Sequence, residues 1–142
     1  MQADTSSYRV FISHATTDTW VARQIAGHIR ARGARTFLDE ADIQHGDDIE
    51  ERIYQAAGES RELLVLLTPW AVTRPYIWME IGLFWGAGKR IVGVLHGLSQ
   101  QELATDGRIP LLLKRGKMLD INRIDGYFDE LEERVRARES LP

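Results

Sequence analysis

The chain contains no cysteine, which removes disulfide frameworks, thiolate nucleophiles and cysteine-based zinc sites from consideration. Histidine is sparse, at positions 14, 28, 45 and 96, with no HExxH or paired spacing, so no metal is expected. Neither sign of charge dominates: 18 Lys and Arg stand against 21 Asp and Glu, a net charge of −3. That balance gives no electrostatic reason to expect nucleic acid or an anionic membrane as partner. The arginine clusters "RARGAR" and "RVRARES" lie among acids at helical spacing and read as solvated helix faces. The N-terminal "MQADTSSYRV" lacks the basic-then-apolar pattern of a signal peptide. The longest apolar run, residues 76–88, is too short to cross a bilayer, so a soluble, cytoplasmic protein is expected. Two catalytic motifs are also missing. There is no GxSxG elbow, and "GAGKR" (86–90) lacks phosphate-loop spacing and ends a helical pattern instead of opening one. Gly86 and Gly88 there read as a helix C-cap.

What is present is a regular alternation. With 142 residues, 44% hydrophobic and 27% charged, the chain suits one globular domain, expected over 8–138 with flexible ends at 1–7 and 139–142. "YRVFIS" (8–13), "ARTFLD" (34–39), "ELLVLLT" (62–68), "RIVGVL" (90–95) and the weaker "KMLDI" (117–121) read as strands. "TTDTWVARQIAGHIRARG" places Trp20, Ile25 and Ile29 at helical spacing and stops at Gly33. A polar loop to Gly46 precedes a helix led by Asp47 and Asp48, and Pro75 can open the helix "YIWMEIGLFWGAG". "HGLSQQELATDGRIPLLLKRG" reads as a loop with a short helix, and "DGYFDELEERVRARE" as a closing amphipathic helix. The third strand is apolar on both faces, as in parallel sheets covered by helices on both sides. The expected fold is therefore α/β: a flavodoxin-like, doubly wound, five-stranded parallel sheet flanked by helices. Ligands of such folds sit beyond the carboxyl ends of the strands. Here those ends carry Ser13-His14, Asp39-Glu40, Thr68-Pro69 and His96-Gly97.

One residue conflicts with its surroundings. Between Tyr76 and Gly88 every position is apolar, aromatic or glycine except Glu80. A carboxylate in such a setting is costly unless compensated. Helical spacing puts Tyr76 and Phe84 beside it, with Trp78 and Trp85 on neighbouring faces. Two readings stay open on spacing alone. Glu80 reaches the solvent edge or pairs with Arg74; or it is a functional acid, able to stabilise a cation developing on a ligand. A phospho-receiver domain shares the architecture but requires aspartate where this chain has Thr68.

Three segments together resemble the Toll/interleukin-1 receptor (TIR) domain family. "YRVFISHA" is similar to the family's first box, and "FLDEADIQHGDDIEERIYQA" to its second strand, BB loop and following helix. "ELLVLLTPWAVTRPYIWMEIGLFWGAGKRIVGVL" resembles the third strand, the helix bearing the family's glutamate, and the fourth strand. The likeness runs in order from about residue 8 to 138. It implies one of two activities: cleavage of the nicotinamide–ribose bond of NAD+, or non-catalytic TIR–TIR adaptor contact. A third, related reading keeps the glutamate chemistry but acts on another nucleoside. In the NAD+-cleaving members the catalytic glutamate corresponds to Glu80. The resemblance further implies a ligand site lined by Ser13, His14, Ala15, Thr16, Asp39, Gln44 and Tyr76. NAD+ would be the substrate, with no metal and no other cofactor. Products would be nicotinamide and ADP-ribose or a cyclic isomer. The partners implied are NAD+ and further copies of the chain in homotypic self-assembly, in a setting of immune or antiphage defence. Two departures from the family stand out. Tyr76 occupies the place of a frequent tryptophan, and Ala15 and Thr16 replace basic residues of some enzymes.

Overall fold

Each element of the computed structural model begins and ends for a local reason. The structure describes residues 8–38, 46, 48–107 and 118–139. Asp39, Gln44 and both expected flexible ends up to residue 7 and from residue 140 lie outside the described residues. Strand β1 (Arg9–Ser13) leads through a 3-10 turn at Thr16–Asp18 into helix α1 (Thr19–Ala31). Gly33, at φ +94°, turns the chain into β2 (Arg35–Leu38). Helix α2 (Ile49–Glu59) starts at Asp48, whose side chain accepts the Glu51 amide at 3.0 Å. β3 (Glu62–Leu67) is followed by α3 (Pro75–Gly86), with proline in its first turn, where no amide donor is missed. Gly88, at φ +69°, ends α3 in the left-handed conformation, then β4 (Arg90–Leu95) follows. Ser99 and Glu102 form a capping box on the short α4 (Gln100–Thr105). β5 (Leu119–Asp120) and α5 (Ile124–Glu139) complete the described chain.

The sheet is parallel throughout, in the order β2-β1-β3-β4-β5. All six residues of β3 are buried, because helices cover it on both sides. On one face Phe11, Phe37, Leu63, Val65 and Leu67 pack with residues of α2 and α3, among them Ile53, Ala56, Ile77, Ile81 and Phe84. On the other Val10, Ile12, Leu64 and Leu66 pack with Ala22, Ile25 and Ile29 of α1 and with Phe128, Leu131 and Val135 of α5. The period-2 alternation of a strand therefore assigns each side chain to one helix layer.

Three details differ from the sequence-based expectation. Of the strand expected at 117–121, β5 covers Leu119–Asp120, paired with Val94 and Leu95; Ile121 opens a 3-10 turn, and Lys117 lies outside the described residues. Trp20, expected on the buried stripe of α1, is 71% exposed in the helix's first turn; the stripe that is buried consists of Ala22, Ile25, Ala26 and Ile29. "ELLVLLT" is not wholly apolar in its burial, because Glu62 is buried with it.

Candidate active site at the carboxyl end of β1 and β3

The order of strands locates the crevice. From β1 the chain steps outward to β2, then returns past β1 to form β3. The connections leave β1 and β3 in opposite directions, and the gap between them is where such folds hold ligands. Of the seven buried polar or charged residues among those described, five belong to this end: Ser13, His14, Asp18, Thr68 and Glu80.

Glu80 is fully buried, in the face of α3 that also buries Ile77, Ile81 and Phe84. It does not reach the solvent edge, and no ion pair joins it to Arg74. Ser13 Oγ donates a hydrogen bond to Glu80 Oε1 at 2.5 Å. Alternation along β1 explains the meeting: Ser13 is two residues beyond Phe11 and points to the same helix layer. Tyr76, one turn before Glu80, is half-buried and donates through its hydroxyl to the His14 carbonyl at 3.2 Å. Two bonds from α3 thus hold the turn after β1. His14 is itself buried, and among the described residues its Nδ1 has no hydrogen-bond partner. Ala15 is buried in the same core as Ile77, and its carbonyl accepts the Asp18 amide at 2.8 Å. Thr16 is exposed, and no hydrogen bond links it to Glu80. The aromatic wall expected around Glu80 is partial. Phe84 packs edge-on against Phe11 with centroids 5.4 Å apart, whereas Trp85 is 60% exposed. Trp78 donates its indole N–H to the Val72 carbonyl at 3.2 Å.

On the opposite layer, Thr68 Oγ1 donates to Asp18 Oδ2 at 2.6 Å and accepts the Ala71 amide at 3.0 Å. This link ties the turn after β1 to the turn after β3, so the rim is braced from both sides of the sheet. The sequence held a clue to it. Thr68 ends an apolar strand whose even-numbered residues face α1, and Asp18 lies just before that helix.

A second polar cluster lies at the amino end of the sheet. Glu62, fully buried, accepts from Tyr8 Oη, from Tyr127 Oη at 2.6 Å, and from Arg134 Nε at 3.0 Å and Nη2 at 3.1 Å. Burial, and then the Glu62 carboxylate, push the Tyr8 hydroxyl up to about 12, and burial also holds Tyr127 well above the usual tyrosine value. This cluster was not anticipated from the sequence. Its only signal was an acid opening an apolar strand. Among the described residues no group of histidines and acids is arranged to hold a metal ion.

A parallel sheet in this order, with a buried carboxylate at its switch point, defines a doubly wound α/β domain. A profile of the TIR domain family matches residues 10–135, and the chain belongs to that family. A curated relative in Brachypodium distachyon, the probable 2′ cyclic ADP-D-ribose synthase BdTIR, is 30% identical over 100 residues. That match covers 69% of this chain and 45% of the relative, so the chain spans less than half of that protein's length. Among solved structures, the TIR domain of the Toll-related receptor TRR-2 from Hydra magnipapillata superposes with a TM-score of 0.70 at 21% identity, over 92% of this chain and 99% of that one. A TIR-STING receptor from C. gigas, solved with 2′,3′-cGAMP, gives 0.68 at 19% identity, over 90% of this chain and 39% of that one. At these identities the two structures speak for the fold alone. Within the described residues no helix is long and apolar enough to cross a membrane.

Proposed function

We propose that the chain cleaves the N-glycosidic bond between nicotinamide and ribose in NAD+, with Glu80 as the catalytic group. The observation that carries this reading is a fully buried carboxylate, hydrogen-bonded by Ser13, at the switch point of the sheet. Nicotinamide is already a cationic leaving group, so its departure needs no metal. It leaves oxocarbenium character on the ribose, and an anionic carboxylate stabilises that charge as carboxylates do in glycoside hydrolysis. Water captures the cation to give ADP-ribose; an internal nucleophile gives a cyclic isomer. The name of the Brachypodium relative supports a cyclic product. The residues proposed to line the substrate pocket are Ser13, His14, Ala15, Thr16 and Tyr76, with Asp39 and Gln44 outside the described residues. Defence by NAD+ depletion or by a cyclic signal is the physiological setting of this proposal.

The complete burial of Glu80 favours one other reading, a non-catalytic TIR–TIR adaptor whose glutamate never meets a substrate. Incubation of concentrated protein with NAD+, followed by chromatography of the products, separates the two. The enzyme reading expects nicotinamide release that falls at least about a hundredfold in Glu80→Gln. NAD+ left intact under conditions of self-assembly leaves the adaptor. Turnover that survives the substitution removes Glu80 from the chemistry.

A further inference from the structure

We propose that Ser13 is a positioning residue for Glu80, holding its carboxylate ionised and in one orientation, and does not itself grip the substrate. The inference rests on the NAD+-cleavage reading and assigns a separate task within it. Ser13 is fully buried, as is Glu80. A serine hydroxyl has a single proton to donate, and this one is directed to Glu80 Oε1. It is therefore not available to a ribose hydroxyl or a phosphate oxygen.

The placement is rigid. Ser13 closes β1 and sits in register with Val65 of the central strand, so its Cα is set by the sheet and not by a loop. One residue later, the Tyr76 hydroxyl holds the His14 carbonyl, which keeps the end of β1 against α3. Glu80 is fixed in turn by its helix, whose Ile77, Ile81 and Phe84 are locked in the core. Seryl donor and carboxylate acceptor thus come from two separate, well-packed elements.

The chemistry requires such a donor. Burial disfavours the charged form of a carboxyl group, yet only the charged form stabilises an oxocarbenium ion. A hydrogen bond donated to the carboxylate favours the ionised form and offsets the loss of water. Loss of the Ser13 donor therefore shifts the balance at Glu80 towards the protonated form, and turnover falls on the acid side of the profile.

Ser13→Ala tests this, with Ser13→Thr as the rescue that restores a hydroxyl. In Ser13→Ala the acid limb of the pH–rate profile moves up by about one to two pH units, with kcat at neutral pH falling about tenfold or more and KM little changed. Threonine returns the limb to its native position. A rise in KM with the acid limb unmoved overturns the proposal in favour of direct substrate contact. A second measurement is independent of turnover: carbon-13 NMR of the Glu80 carboxyl, assigned by its loss in Glu80→Gln. Its titration midpoint moves up in Ser13→Ala and back in Ser13→Thr. An unmoved midpoint overturns the proposal even if the protein cleaves NAD+, whereas an inactive native protein with a moved midpoint sinks only the NAD+ reading. Should Ser13→Ala fail to fold, Ser13→Cys, of similar volume and with a weaker donor, carries the same two readouts.

Discussion

Two buried acids, Glu80 and Glu62, are handled by the same sheet in different ways. Glu62 accepts from two tyrosines and from Nε and Nη2 of the Arg134 guanidinium, all within one cluster at the amino end of β3. Its partners come from Tyr8 before β1 and from α5, so this acid clasps the two ends of the described chain to the central strand. Glu80 instead lies in the crevice, beside the turn after β1. The tyrosines around Glu62 make a prediction about pH. Their folded pKa values lie above the unfolded tyrosine value of 10.0, Tyr8 at about 12. A raised folded value means that folding favours the protonated hydroxyl. The stabilisation is therefore complete below about pH 10 and lost as pH rises through 10 towards 12. Urea denaturation at intervals from pH 8 to pH 11.5 should show stability falling over the upper part of that range. The fall should be shallower in the double substitution Tyr8→Phe, Tyr127→Phe. An equal slope in native and doubly substituted protein would assign the alkaline loss to other groups.

At the level of elements, α3 is the unusual one. Between Pro75 and Gly86 it has no charged residue except Glu80, so its outward face carries Gly82, Trp85 and Gly86 where a surface helix ordinarily has charges. Gly82 stands in mid-helix without positive φ, and a Cβ added there would meet nothing within 4 Å. Gly82→Ala should therefore stabilise the folded chain by about 0.5–1 kcal/mol, through the lower entropy of the unfolded state and better helix propensity. A thermal melt should rise by roughly 2–4 °C. A fall would show that something outside the described residues packs against that position. The bounds of α3, β4 and α2 were legible in the sequence because Pro75, Asp48 and Gly88 punctuate them by backbone rules alone. β5 was legible only in part. Its length depends on how much of β4 it can pair with, and the apolar pattern of "KMLDI" carries no information about that.

For the molecule as a whole, the question is how a fully buried Glu80 meets a substrate. Opening the rim means drawing the His14 turn away from α3, against the Tyr76 hydrogen bond and the packing of Ala15, while the Ser13–Glu80 bond is kept. We propose that the homotypic self-assembly implied by the family resemblance supplies the free energy for that opening. Specific activity in NAD+ cleavage should then rise with protein concentration, tracking the associated fraction seen by sedimentation. Activity per molecule that is constant across a hundredfold dilution, with the protein shown to be monomeric, would mean that one copy suffices. Amino-acid order by itself determined the layered α/β architecture, the positions of four strands and the oddity of Glu80, because periodicity, caps and turns act over a few residues. It left open whether Glu80 was solvated, paired with Arg74 or enclosed, and it did not pair Asp18 with Thr68 or Glu62 with Tyr127 and Arg134. Those partners are 50 to 72 residues apart in the chain. Only the strand order, with the crossover past β1 that creates the switch point, brings them within hydrogen-bonding distance.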